Sequence, residues 1–175
     1  MRKLLVVMSG VLVLSNAIWG YLYWSRTVSE QTIPIAEDEL SLYTMSGSGH
    51  LWEITGHKIL ISSDKIMRGR GKLTYKGEPY DLENSRYIEI TFRESTPDGR
   101  METVSSNEYR SLDGPVSILA NVEQLGSMTS PYSSGEFNKT KMDYENTVME
   151  VTWEDDRGQM QTEIVELDIE GEIIL

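Results

Sequence analysis

Residues 86–106, RYIEITFRESTPDGRMETVSS, decide the fold. Successive side chains of an extended chain point to opposite faces, so Ile88, Ile90 and Phe92 share one face of a strand over Arg86–Glu94. Tyr87, Glu89, Thr91 and Arg93 share the other. Thr96-Pro97-Asp98-Gly99 then supplies what a tight reversal needs: proline presets φ, aspartate bonds to nearby backbone and glycine accepts positive φ. Arg100–Ser106 is the return strand of a hairpin.

The same signal recurs on both sides. His50–Thr55 places Trp52 and Ile54 on one face, Gly56 and His57 interrupt, and Lys58–Ser63 follows as a short β-branched run. Arg70–Lys76 alternates, with Leu73 and Tyr75 inward. Val116–Val122 reads as a weak strand or short helix, and Ser127–Lys141 as a Ser/Gly-rich loop. Asn146–Trp153 sets Met149, Val151 and Trp153 on one face. After the turn at Glu154–Gly158, Gln159–Leu167 returns with Met160, Thr162 and Ile164 on one face and Glu163 and Val165 on the other. Asp168–Leu175 adds an edge strand. Seven or eight short strands, with no long amphipathic helix, predict an all-β domain. The expected form is an antiparallel β-sandwich of the immunoglobulin-like kind, with a small β-barrel as the alternative.

The start of the chain is different. Leu4–Trp24 carries no charge in 21 residues, Arg2 and Lys3 precede it and Arg26 closes it. At about 1.5 Å per residue such a helix crosses a hydrocarbon core of roughly 30 Å. The basic residues in front favour a cytoplasmic N-terminus, and Trp19, Tyr21, Tyr23 and Trp24 suit the far interface. A cleaved signal peptide ending near Ser15-Asn16-Ala17 is the competing reading, but the chain stays apolar past Ala17. The expected organisation is a transmembrane helix or signal peptide over residues 1–26, a tether over 27–49 and an extracytoplasmic domain over 50–175. Pro34, the acidic run Glu37-Asp38-Glu39 and Ser46-Gly47-Ser48-Gly49 support the tether. The cell membrane is the expected location, with secretion as the alternative.

Composition narrows the function classes. The chain has 28 acidic and 16 basic residues, a net charge of −12, and three of the bases lie in or beside the apolar segment. Nucleic acid demands the opposite, a basic footprint, so it is not expected as a partner. There is no cysteine, which rules out a disulfide framework, thiol catalysis and a lipid-modified cysteine.

Ser46-Gly47-Ser48-Gly49-His50-Leu51-Trp52, followed by Gly71-Lys72-Leu73-Thr74-Tyr75-Lys76-Gly77, resembles the opening of a group of small exported proteins of Bacillus-like bacteria, often lipoproteins. Val151-Thr152-Trp153, Gly158 and Glu163–Leu167 resemble that group's final hairpin. The resemblance spans about half of the domain and departs where the lipobox cysteine is missing. It implies a cell-surface β domain of a Gram-positive envelope and implies no activity.

Candidate chemistry is sparse. The two histidines, His50 and His57, flank the first strand, and no G-x-S-x-G elbow accompanies them. Glu154-Asp155-Asp156 lacks the alternating spacing of a calcium loop. No metal, cofactor or catalytic residue is expected. Lys65, Arg68, Arg70, Lys72 and Lys76 form a basic stretch with no acid inside it, interleaved with Gly69 and Gly71. Guanidinium groups beside glycine amides suit anions such as wall polymer; charges guarding an edge strand, or balancing the acidic C-terminal third, are the plainer readings. The expected function is an interaction or envelope-associated module. Binding of an anionic ligand is the second reading, and a carboxylate-dependent hydrolase the third.

Overall fold

The computed structural model describes residues 40–175 apart from 116, 117 and 134, together with Asn16 and Trp19. The chain divides into two units, Met1–Glu37 and Asp38–Leu175. The expected membrane segment and the tether as far as residue 39 lie outside the described residues, save Asn16 and Trp19, which are helical.

The second unit is built from β1 (Ser41–Ser48), β2 (Trp52–Ile61), β3 (Lys65–Tyr75), a 3-10 turn (Pro79–Leu82), β4 (Tyr87–Ser95), β5 (Met101–Arg110), α1 (Ile118–Val122), β6 (Leu125–Pro131), α2 (Lys141–Glu145), β7 (Val148–Glu154), β8 (Met160–Glu166) and β9 (Asp168–Ile174). The strands form two separate antiparallel sheets, in the orders β6-β3-β2-β1-β9 and β5-β4-β7-β8. This is the sandwich-like arrangement and not the barrel. Trp52, Ile54, Ile59 and Ile66 of the first sheet meet Ile88, Ile90, Phe92, Met149 and Val151 of the second in one core. The Trp52 and Trp153 rings lie edge to face at 5.7 Å across it. One side is closed, because β8 runs through buried Leu167 into β9 and so crosses from sheet to sheet. On the other side the last strands, β5 and β6, share no ladder.

Several expectations change. Residues 41–48, assigned to the tether, form β1, which sits between β2 and β9. Gly47 is there for close approach: a Cβ would strike the Glu166 carbonyl on β8. Residues 125–131, assigned partly to a loop, form edge strand β6, while 118–122 takes the short-helix form, one of the two readings given for that stretch. On β8, where alternation alone left the inward face open, the odd-numbered face is the more buried one. Met149 pairs with Val165 and Val151 with Glu163, so the register of β7 turns Val165 inward and leaves Met160 and Ile164 exposed.

The two runs on either side of Gly56 are one strand with a bulge. Trp52 and Ile54 face inward, then the phase slips and His57 and Ile59 do. The register to β1 shifts at the same place, and Gly56 has φ 69°. On the neighbouring β3 the phase slips at Gly69 (φ 137°) and Arg70 (φ 56°), so Ile66 and Arg68 face inward before it and Gly71 and Leu73 after it. Only glycine fits at Gly69, where a Cβ would strike the backbone of Gly126 and Ser127 on β6. This slip decides the fate of the basic stretch.

Candidate functional site

Strict alternation back from Leu73 would put Arg68, Arg70 and Lys72 on one outer face. The bulge separates them. Arg70 and Lys72 stay exposed, whereas Arg68 turns inward and is only 2 % exposed. Lys65 and Lys76 bracket β3, roughly 35 Å apart at the rise of an extended chain. Lys76 is engaged locally, donating to Ser48 Oγ at 3.0 Å and to the Gly49 carbonyl. β6 covers β3 over Lys65–Gly71, so the reading of an edge guarded by charges holds only for the end of the strand that carries Lys72. Burial takes Arg68 out of the exposed basic stretch, and the structure does not gather the other four at one point.

What Arg68 meets was missed from sequence. Its Nε donates to Glu94 Oε1 at 2.5 Å and its Nη2 to Glu94 Oε2 at 2.8 Å. Nη2 also donates to Glu136 Oε1 at 2.6 Å. Lys139 Nζ donates to Glu94 Oε2 at 2.8 Å, and Glu136 Oε2 accepts the Ser133 amide. The four charges sum to zero, and none is more than 9 % exposed at its side chain. Burial alone would lower the Arg68 pKa, but the hydrogen bonds and charge of Glu94, and then of Glu136, hold it above its ordinary value. Burial likewise pushes Glu94 and Glu136 up. Arg68 and Lys139 bring Glu94 below the usual carboxylate range; the Ser133 amide and Arg68 do the same for Glu136. The cluster ties β3 of one sheet to β4 of the other and pins the 132–140 loop over them.

One sequence signal for it existed. Ile88, Ile90 and Phe92 point inward, so Glu94 continues that phase into the core, and a buried carboxylate calls for a buried cation. Nothing local marks Glu136 or Lys139, which come from a polar loop. His57 was visible only as a residue between two strand runs. It is 1 % exposed and stacks on Phe92 at 4.2 Å with 9° between the rings. Desolvation lowers its pKa to about 4, against the raising effect of Glu94 and with a smaller lowering from Arg68.

The opposite end of the sandwich carries an open cleft of about 450 Å³ between the β1–β2 turn, the 3-10 turn and the β7–β8 hairpin. Tyr75 and Trp153 line it together with Asp81, Asp155, Asp156, Glu163 and Arg157. Two of these carboxylates hold main chain. Glu163 accepts the amides of His50, Leu51 and Trp52. Asp155 accepts those of Arg157 at 2.9 Å and Gln159 at 2.8 Å, and the Gln159 amide is first among the causes that hold it below its ordinary value. Tyr75 is pushed up to about 12 by burial and then by Asp81, which accepts its hydroxyl at 3.5 Å. Carboxylates do converge here, as a hydrolase requires. Asp155, however, is shifted away from the protonated state a general acid needs, and Glu163 is occupied by backbone. Among the described residues no group of three or more metal-ligating side chains is placed to hold an ion.

No protein-family model, curated protein or solved structure matches this chain.

Proposed function

We propose that the chain is a single-pass, membrane-anchored protein whose β-sandwich, of immunoglobulin-like kind, lies outside the cytoplasm and serves as an interaction module of the cell envelope rather than as an enzyme. The cleft at the Trp153 end is the observation that supports this most. Its aromatic floor and carboxylate rim suit a cationic, partly apolar segment of a partner protein, and its walls are already held by hydrogen bonds to main chain, which favours recognition over turnover.

The absence of cysteine makes the location directly testable. Asp156→Cys is expected to react with a membrane-impermeant maleimide on intact cells; labelling only after lysis would overturn the placement. For the interaction, a photo-crosslinking residue at Thr162 should capture a partner that Asp156→Lys releases, while the same residue at Lys72 should capture none. Retention on purified cell wall that Arg70→Glu and Lys72→Glu together abolish would instead favour a wall-polymer ligand.

A further inference from the structure

Between the two unpaired edge strands lies a narrow slit of about 100 Å³, away from the acidic cleft. His57, Arg68 and Phe92 form its floor, Ser105, Ser106 and Asn107 of β5 one wall, and Gly126 and Ser127 of β6 the other. The register explains the gap. Ser105 pairs with Phe92 and Asn107 with Ile90, so β5 offers small polar side chains at inward positions where the core needs large apolar ones. Ser127, opposite Gly69, lines the slit from β6 and is exposed.

This slit holds the strongest unanswered polar demand of the domain. Neither ring nitrogen of His57 has a hydrogen-bond partner among the described residues, although the residue is 1 % exposed. Buried polar groups in native proteins are met by a protein atom, an ordered water or a bound ion far more often than not. Arg68 uses Nε and Nη2 for its glutamates, so Nη1 takes part in none of those bonds. The lining is rich in donors: a guanidinium edge, an imidazole N–H, hydroxyls and an amide. A volume of this order takes a molecule of a few heavy atoms.

We propose that the slit binds a small planar oxyanion of formate's size, held between His57 and Arg68 and flanked by Ser105 and Ser127. Charge balance then dictates a proton. The cluster of Arg68, Lys139, Glu94 and Glu136 is neutral as it stands, so an added anion is uncompensated unless the imidazole is protonated as it binds. One proton, from the acid's O–H or from solvent, forms the second ring N–H bond of His57, no bond between heavy atoms is made or broken, and the bound pair is imidazolium and oxyanion. The charged groups facing His57 are Arg68 from β3 and Glu94 from β4, and no acid lines the slit. Affinity therefore falls by about tenfold per pH unit between the midpoint of free His57 and the higher midpoint of the bound state.

The chain contains two histidines, one exposed and one buried, so ring-nitrogen NMR of the full-length, histidine-labelled protein in detergent reads the site directly. Formate titrated at about pH 5 should shift the His57 ring saturably toward imidazolium. Chloride at equal ionic strength should not, and His50 should respond to neither. Ser127→Val and Ser105→Val, placed on opposite walls and outside the ion cluster, should each abolish the response. The proposal is overturned if the His57 ring is silent to formate, if chloride moves it equally, or if a folded valine variant keeps the wild-type response. A His57 signal reporting water contact alone is the first of these outcomes.

Discussion

The two ends of the sandwich treat charge in opposite ways. At the Trp153 end, carboxylates stand at the rim of an open cleft and are satisfied by backbone amides and solvent. At the Glu94 end, two carboxylates and two cations are shut between the sheets, where each is tolerable only because the others are there. The difference is one of dielectric. A solvated Asp can lose a partner and be rehydrated, whereas a buried Glu cannot. Charge count along the chain is therefore a poor guide to which charges are available for binding, and burial is the deciding quantity.

The most severe way to break this contrast is to remove one member of the buried cluster. Glu94→Gln should lower unfolding free energy by about 3–5 kcal/mol, because Glu136 alone then faces Arg68 and Lys139 and one positive charge is left uncompensated in the core. Adding Arg68→Met should cost less than the sum of the two single changes, and chemical denaturation of the single and double variants measures that coupling. Strict additivity would mean that the groups do not act as a unit.

A milder perturbation uses acid. His57 has a depressed pKa, so as pH falls from 6.5 toward about 4 the unfolded chain takes up a proton that the folded one does not. Stability from this group is complete above 6.5 and is lost across that window, by about 3 kcal/mol in total. Glu94 and Glu136, also depressed, add their loss only below the ordinary carboxylate value of 4.5. His57→Gln should flatten the stability–pH curve between 6.5 and 4.5 and leave the steeper fall beneath it. A wild-type curve already flat in that upper window would remove His57 as its cause.

The smallest effect belongs to the cleft. Glu163→Gln weakens the hold on the β1–β2 turn, yet the site is open to solvent, so about 1 kcal/mol is expected. The local signature should be clearer than the global one: hydrogen exchange at the amides of His50, Leu51 and Trp52 should accelerate while that at Ile88 and Ile90 does not. Loss at Glu163 as large as at Glu94 would erase the distinction between the two ends.

Much of the sheet was legible in order of residues. β4 and β7 could be read with their inward faces correct, because Ile88, Ile90 and Phe92, and Met149, Val151 and Trp153, alternate without interruption. β1 and β6 could not, since SLYTMSGS and LGSMTSP combine glycine, serine and threonine in the manner of linkers. Their strand state comes from neighbours: β1 from partners on both sides, and β6 from the close approach to Gly69. Alternation within β8 left open which of its faces is buried, because register is set by the strand it pairs with.

The same division runs through the candidate sites. By itself the sequence determined a cysteine-free, acidic, strand-rich domain following an apolar segment, because composition and period-2 alternation are local properties that survive without knowledge of contacts. Only the tertiary structure decided which charges face solvent. One slipped residue at Gly69 and Arg70 turns Arg68 from an outer face into the core. The carboxylates that then receive it come from positions 26 and 68 residues along the chain. Electrostatic partnership depends on distance and dielectric in space, and neither is written in the order of residues.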